Sequence, residues 1–175
     1  MFDLTGAVAV GGCDHAGLCA ASDTALNKYH AAQIQKIWTA NKAVTLKHLG
    51  YALATGGAKC DEITATKLIV CSGASGGYWP GSGGTTYGNV FITPFVRSDF
   101  TAAEWAGLLQ HEYGHSAQWA RHGDGFLPLY ISAQGWAEFD WALASRTGTQ
   151  GACNYAGCYN IFEQGAGLKG GFYVD

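Results

Sequence analysis

The sequence predicts an α+β fold in which a small twisted sheet lies over one principal helix, with further helices around them. Three observations give that class. Thr101 followed by Glu104 forms a capping box ahead of Trp105, Leu108 and Leu109, which recur at helical spacing. Two short runs rich in β-branched and aromatic residues, 67–71 and 87–93, read as strands on either side of a long glycine- and serine-rich stretch. Of the 175 residues, 48% are hydrophobic and 13% charged, which excludes a disordered chain and provides a core for one domain.

Residues 1–21 read as a glycine-rich opening with a strand expected at 7–10. Ser22 and Asp23 cap a helix from 24 to about 40, with Leu26, Tyr29, Ile34, Ile37 and Trp38 on its apolar side. Residues 41–54 fit either a second helix or a helix and a strand. Residues 67–71 are a strand, and 72–86 a loop carrying Tyr78, Trp79 and Pro80, too long for a plain connector. The strand at 87–93 ends at Pro94. The principal helix runs from Thr101 to about Arg121 and stops at His122-Gly123-Asp124-Gly125, where glycine supplies the C-cap. Ser132 caps a further helix to Ser145, followed by a cysteine loop and the segment around Glu163.

Composition narrows the function. A net charge of -3 and a pI near 6.0, without a basic run, argue against nucleic-acid binding. The apolar runs are far shorter than a membrane span. The six cysteines fall into close pairs, Cys13 with Cys19, Cys60 with Cys71 and Cys153 with Cys158. Local pairing of an even count predicts three disulfides and a secreted or otherwise extracytoplasmic location; the alternative is a cysteine-bound structural zinc. Met1-Phe2-Asp3-Leu4 lacks a basic start and a long apolar run, so either a signal has been removed or the domain comes from a longer exported protein. A monomer is expected.

The chemistry lies in the principal helix. His111-Glu112-Tyr113-Gly114-His115 places two imidazoles four residues apart, on one helical face and one turn above each other. Their ring nitrogens can converge on one metal ion. Glu112 then stands beside that ion, where a carboxylate can take a proton from water. Gly114 costs roughly 1 kcal/mol of helix propensity relative to alanine, and it makes room for another element to pack beside the metal.

His111 to Gln118 resembles the zincin zinc metallopeptidases. The Gly-His-x-x-Gln continuation is similar to small gluzincin-like bacterial domains, some attached to secreted or toxin-like proteins. The resemblance covers about 88–173; residues 1–85 carry no recognised motif, and 86–175 form the expected catalytic part of a single domain. It implies a strand ahead of the helix that forms the cleft edge and pairs with an extended peptide substrate. It also implies bound Zn2+, hydrolysis of peptide bonds with Glu112 as general base, and a third protein ligand.

Three residues compete for that third place. His122 lies two turns beyond His115, about 10 Å along the axis, and reads as a helix-end residue favouring the dipole. Glu138 sits at a distance past His115 that glutamate-ligand zincins commonly show. Glu163, in Phe162-Glu163-Gln164-Gly165-Ala166, resembles the glutamate of the bacterial group, in which a small residue three positions later lets two helices approach. Glu163 is favoured, leaving Glu138 at the core edge or behind an imidazole. Tyr130, Tyr155, Tyr159 and Tyr173 are candidate oxyanion donors, Tyr113 less so, and Gln118, one turn past His115, is either a partner of its imidazole or hydrogen-bonded to backbone. Two alternatives to a general peptidase stay open: an effector-type peptidase acting on one partner protein, and a metal-bearing binding domain without turnover.

Overall fold

A computed structural model describes residues 24–54, 58–74, 83–151, 153, 155–169 and 172–173. The expected Cys13–Cys19 bridge, the strand at 7–10 and the aromatic tip of the 72–86 loop lie outside them. The class is α+β. Helix α1 (Thr24–Ala54) leads to strands β1 (Lys59–Ile63), β2 (Leu68–Ser72), β3 (Thr85–Tyr87) and β4 (Val90–Ile92). Helices α2 (Ala102–His122), α3 (Phe126–Thr147) and α4 (Ile161–Gly165) follow, then a small hairpin of β5 (Leu168–Lys169) and β6 (Phe172–Tyr173).

The four strands form one mixed sheet in the order β1-β2-β4-β3. β2 and β4 are parallel, and the outer strands run antiparallel to them. The inner strands, Leu-Ile-Val-Cys and Val-Phe-Ile, are apolar throughout because both of their faces are covered. Ile69, Cys71, Val90 and Ile92 pack with Trp38 and Leu49 of α1 and with Trp119 and Phe126. Leu68, Val70 and Phe91, alternating with them, pack with Trp105, Leu108 and Leu109 of α2.

Three expectations are corrected here, and one strand is added. The segment 24–54 is one 31-residue helix, so no break occurs near residue 40. Lys59–Ile63 is a strand that its polar sequence concealed; it is an edge strand, held by pairing with β2. Residues 87–93 are not one strand. The chain reverses at Gly88-Asn89, with Tyr87 opposite Val90 and Gly88 at φ 61°. A Cβ at Gly88 would also come within 2.5 Å of the Thr45 hydroxyl. The edge strand is therefore β3, and β4 lies inside the sheet. Finally, α3 starts at Phe126 rather than after Ser132. It continues directly from the turn Gly123–Gly125, and Pro128 falls in its first turn, where no N–H is needed.

Other expectations hold. The capping box closes as anticipated: the Glu104 N–H donates to Thr101 Oγ1 at 3.3 Å and the Thr101 N–H donates to Glu104 Oε2 at 2.8 Å. Gly123 is the C-cap of α2, at φ 55°. Cys60–Cys71 and Cys153–Cys158 are disulfides, the first joining directly opposed residues of β1 and β2.

A buried polar network joins α1 to the site elements. Asn41 Nδ2 donates to Asn89 Oδ1 and to the Ser116 carbonyl, each at 2.8 Å, and the Asn89 N–H donates to Thr45 Oγ1 at 2.8 Å. The hairpin and α2 are thus fixed to the same helix. Asn41→Ala would leave two buried acceptors without this donor. It is expected to destabilise the protein by about 2–3 kcal/mol, measured as a lower urea midpoint at unchanged slope.

Candidate metal centre

The motif helix places His111, Glu112 and His115 on its buried face. The imidazoles meet nearly edge to face, with His111 Nε2 and His115 Nε2 3.1 Å apart. Glu163 enters from α4 and faces both: its Oε2 lies 3.0 Å from His111 Nε2 and its Oε1 3.4 Å from His115 Nε2. Tetrahedral bonds of about 2.0–2.2 Å separate neighbouring donor atoms by roughly 3.3–3.6 Å. Measured to the nearer oxygen of Glu163 in each case, the three separations lie within a few tenths of an ångström of that range, so this donor set can hold a small divalent cation. Among the described residues, His111, His115 and Glu163 are the one cluster of this kind.

The approach of α4 explains the glycine in the motif. A Cβ on Gly114 would stand 2.8 Å from Ala166 Cα and 3.0 Å from Ala166 Cβ. Both small residues are needed for α4 to lie against α2, as the sequence implied for Gly114 and for the alanine three after Glu163. The five residues of α4 are held by their surroundings. Asn160 caps the helix through Oδ1, accepting from the Phe162 N–H at 2.9 Å, and its Nδ2 donates to Gln134 Oε1 of α3 at 2.9 Å. Gln164 Nε2 donates to the Cys158 carbonyl inside the disulfide loop.

Gln118 has a double role. Its Oε1 is 2.9 Å from His115 Nδ1, and its Nε2 donates to the Phe162 carbonyl at 2.8 Å. With Nδ1–H donating to Gln118, His115 keeps a lone pair on Nε2, the atom facing Glu163. The other two ligand candidates lie outside this cluster. His122 is an exposed residue at the end of α2, near the Phe126 and Phe162 rings. Glu138 is exposed on α3, where it lines the cleft and accepts from Gln134 Nε2 at 2.9 Å.

Three contacts escaped the sequence. The Thr86 hydroxyl, on edge strand β3, donates to Glu112 Oε2 at 2.7 Å, and Trp119 Nε1 donates to the Thr86 carbonyl at 2.9 Å. No local pattern links residue 86 to residue 112; only the packing of β3 on α2 does. The Tyr130 hydroxyl donates to Glu163 Oε1 at 2.5 Å. Tyr130, one of the four candidate oxyanion donors, thus has its hydroxyl engaged by Glu163.

No protein-family description matches this sequence, and comparison with curated proteins and with solved structures finds no similar one. The site therefore stands on its own geometry.

Charge is distributed unevenly across it. Burial raises the Glu112 carboxyl above its usual range, against the pull of His115, His111 and the Thr86 hydroxyl. Burial would also raise Glu163, but hydrogen bonds from the two imidazoles and their charge bring it far below that range. Burial alone would lower His115; the hydrogen bond and charge of Glu163, with Glu112 and Gln118, push it up to about 9. Tyr130 is raised well above a normal phenol by burial and by Glu163, so its hydroxyl keeps its proton.

A cleft of about 510 Å³ runs past this cluster. β3 and the preceding Gly83-Gly84 form one border, Phe95, Phe100 and Leu108 an apolar part of the wall, and Tyr130 and Ile131 of α3 another. Tyr155, from the loop closed by Cys153–Cys158, also lines it, whereas Tyr113 and Tyr159 do not.

Two outcomes test the centre. Gly114→Ala gains helix propensity of about 1 kcal/mol yet pushes α4 away, so metal affinity measured by competition with a chelating dye is expected to fall at least tenfold. In metal-free protein, the folded pKa of His115 lies above its unfolded value of 6.5. Its stabilisation is complete below that value and disappears as pH rises through about 9. Melting temperatures of chelator-treated protein should fall by several degrees between pH 7 and pH 10, and less in His115→Ala.

Proposed function

We propose that this protein is a zinc-dependent peptidase. The observation that carries the reading is the convergence of His111, His115 and Glu163 with a buried carboxylate, Glu112, beside them in an open cleft. Two imidazoles and one carboxylate suit zinc among the common cations, since calcium and magnesium prefer all-oxygen sites. Bound there, zinc would polarise a peptide carbonyl and lower the pKa of water towards roughly 7.

The remaining steps belong to the chain. Glu112 is the general base: it takes the proton of the attacking water and hands it to the leaving amine. Burial favours that acceptance, and Thr86 fixes the carboxylate through Oε2, leaving Oε1 for the proton. The outer edge of β3 carries no further strand among the described residues, so its backbone is available to an extended peptide. Of the hydroxyls named from sequence, Tyr155 lines the cleft without the short bond that engages Tyr130, and it is the donor proposed for the oxyanion. Two disulfides, which form in oxidising compartments, support an extracytoplasmic setting. Among the described residues no helix is long and apolar enough to cross a membrane.

Metal content by mass spectrometry and cleavage of unfolded casein test the reading together. Wild type is expected to carry about one zinc per chain and to cut casein. Glu112→Gln should keep the zinc and lose about 10²–10⁴-fold in rate, while Glu163→Ala should lose the zinc. Zinc without cleavage of casein or of any peptide in a random library would make the protein a metal-bearing binding domain. Cleavage of a few library peptides but not casein would favour an effector acting on one partner.

A further inference from the structure

The two oxygens of Glu163 have different surroundings. Oε2 lies 3.0 Å from His111 Nε2, whereas Oε1, 3.4 Å from His115 Nε2, also accepts from the Tyr130 hydroxyl at 2.5 Å. We propose that Tyr130 is a positioning residue of the metal centre: its hydroxyl occupies one carboxylate oxygen of Glu163 and leaves the other as a single donor to the cation. This rests on the metal-centre reading above and deepens it.

The argument is one of coordination number. A carboxylate can bind a cation through one oxygen or through both. A hydrolytic zinc site with three protein ligands needs its remaining position for water and substrate, and a second oxygen from Glu163 would crowd it. An oxygen already engaged in a short charge-assisted hydrogen bond has less electron density to offer a metal. Tyr130 is well placed to choose between the two oxygens because its own ring is fixed. It packs at 6.0 Å against His115 from α2, at 5.9 Å against Phe126 from its own helix, and at 6.3 Å against Phe162 from α4. Two of these neighbours matter directly: His115 is a ligand, and Phe162 precedes Glu163 in the chain. The hydroxyl is thereby referenced to both helices that supply donors.

Cobalt substitution tests this, because four-coordinate cobalt absorbs visible light more strongly than five-coordinate cobalt. Tyr130→Phe keeps the ring and removes the hydroxyl. Its cobalt form is expected to absorb more weakly than wild type, and its zinc affinity to fall about 10- to 100-fold. Tyr113→Phe, whose hydroxyl lies away from the cleft, should change neither. Identical spectra and affinities in wild type and Tyr130→Phe would overturn the proposal and leave the metal centre intact. A wild type that takes up neither cobalt nor zinc would overturn the metal centre itself, and the proposal with it. Should Tyr130→Phe fail to fold, NMR of zinc-loaded wild type decides: a slowly exchanging hydroxyl proton close to the Tyr130 ring and the Glu163 side chain is expected, and its absence overturns the assignment.

Discussion

The site depends on how closely α4 lies against α2. His111, Glu112 and His115 share a helical face whatever the rest of the chain does, but the third donor arrives only if the short segment bearing Glu163 reaches that face. Gly114 and Ala166 permit the approach by having almost nothing between their backbones. A five-residue helix has no stability of its own. It is therefore tied from every side: the Asn160 cap, the Gln118 bond to the Phe162 carbonyl, and the Gln164 bond to the Cys158 carbonyl. Local helix propensity is sacrificed at Gly114 so that tertiary geometry can be met.

The same packing gives two carboxylates opposite proton affinities. Glu112 and Glu163 are both largely withdrawn from water, which by itself would raise both. Glu163 receives hydrogen bonds from two imidazoles and is held ionised, as suits a donor to a cation. Glu112 accepts a hydroxyl and keeps a raised proton affinity, as suits a base. Environments that push paired carboxyls apart in this way are a common sign of divided labour at a reactive centre. Behind both stands the Asn41 and Asn89 network, which holds the Thr86 strand and α2 at a fixed separation.

Legibility in the sequence followed the range of each interaction. The capping box at Thr101, the glycine stop at Gly123 and the spacing of His111 and His115 are local, and all were readable. Glu163 was reached through the Phe-Glu-x-x-Ala pattern, whose alanine now has a steric reason. What was missed is tertiary. Thr86 meets Glu112 across 26 residues, and nothing in either neighbourhood announces it. The turn at Gly88-Asn89 was hidden because strand-forming residues flank it closely, and the strand at Lys59–Ile63 because its residues are mostly polar. Helix α3 began early because a turn can pass straight into a helix without a polar cap, which left Ser132 as an ordinary interior residue.

The order in which the donors occur along the chain has a consequence for biosynthesis. His111 and His115 emerge together, but Glu163 follows only after the 22 residues of α3 and the loop closed by Cys153–Cys158. A nascent chain thus exposes a pair of imidazoles, a poor trap for a cation, until the final ligand has been translated and docked. In the proposed metal centre, capture of a cation would be a late event in maturation, after Cys153 and Cys158 have been made.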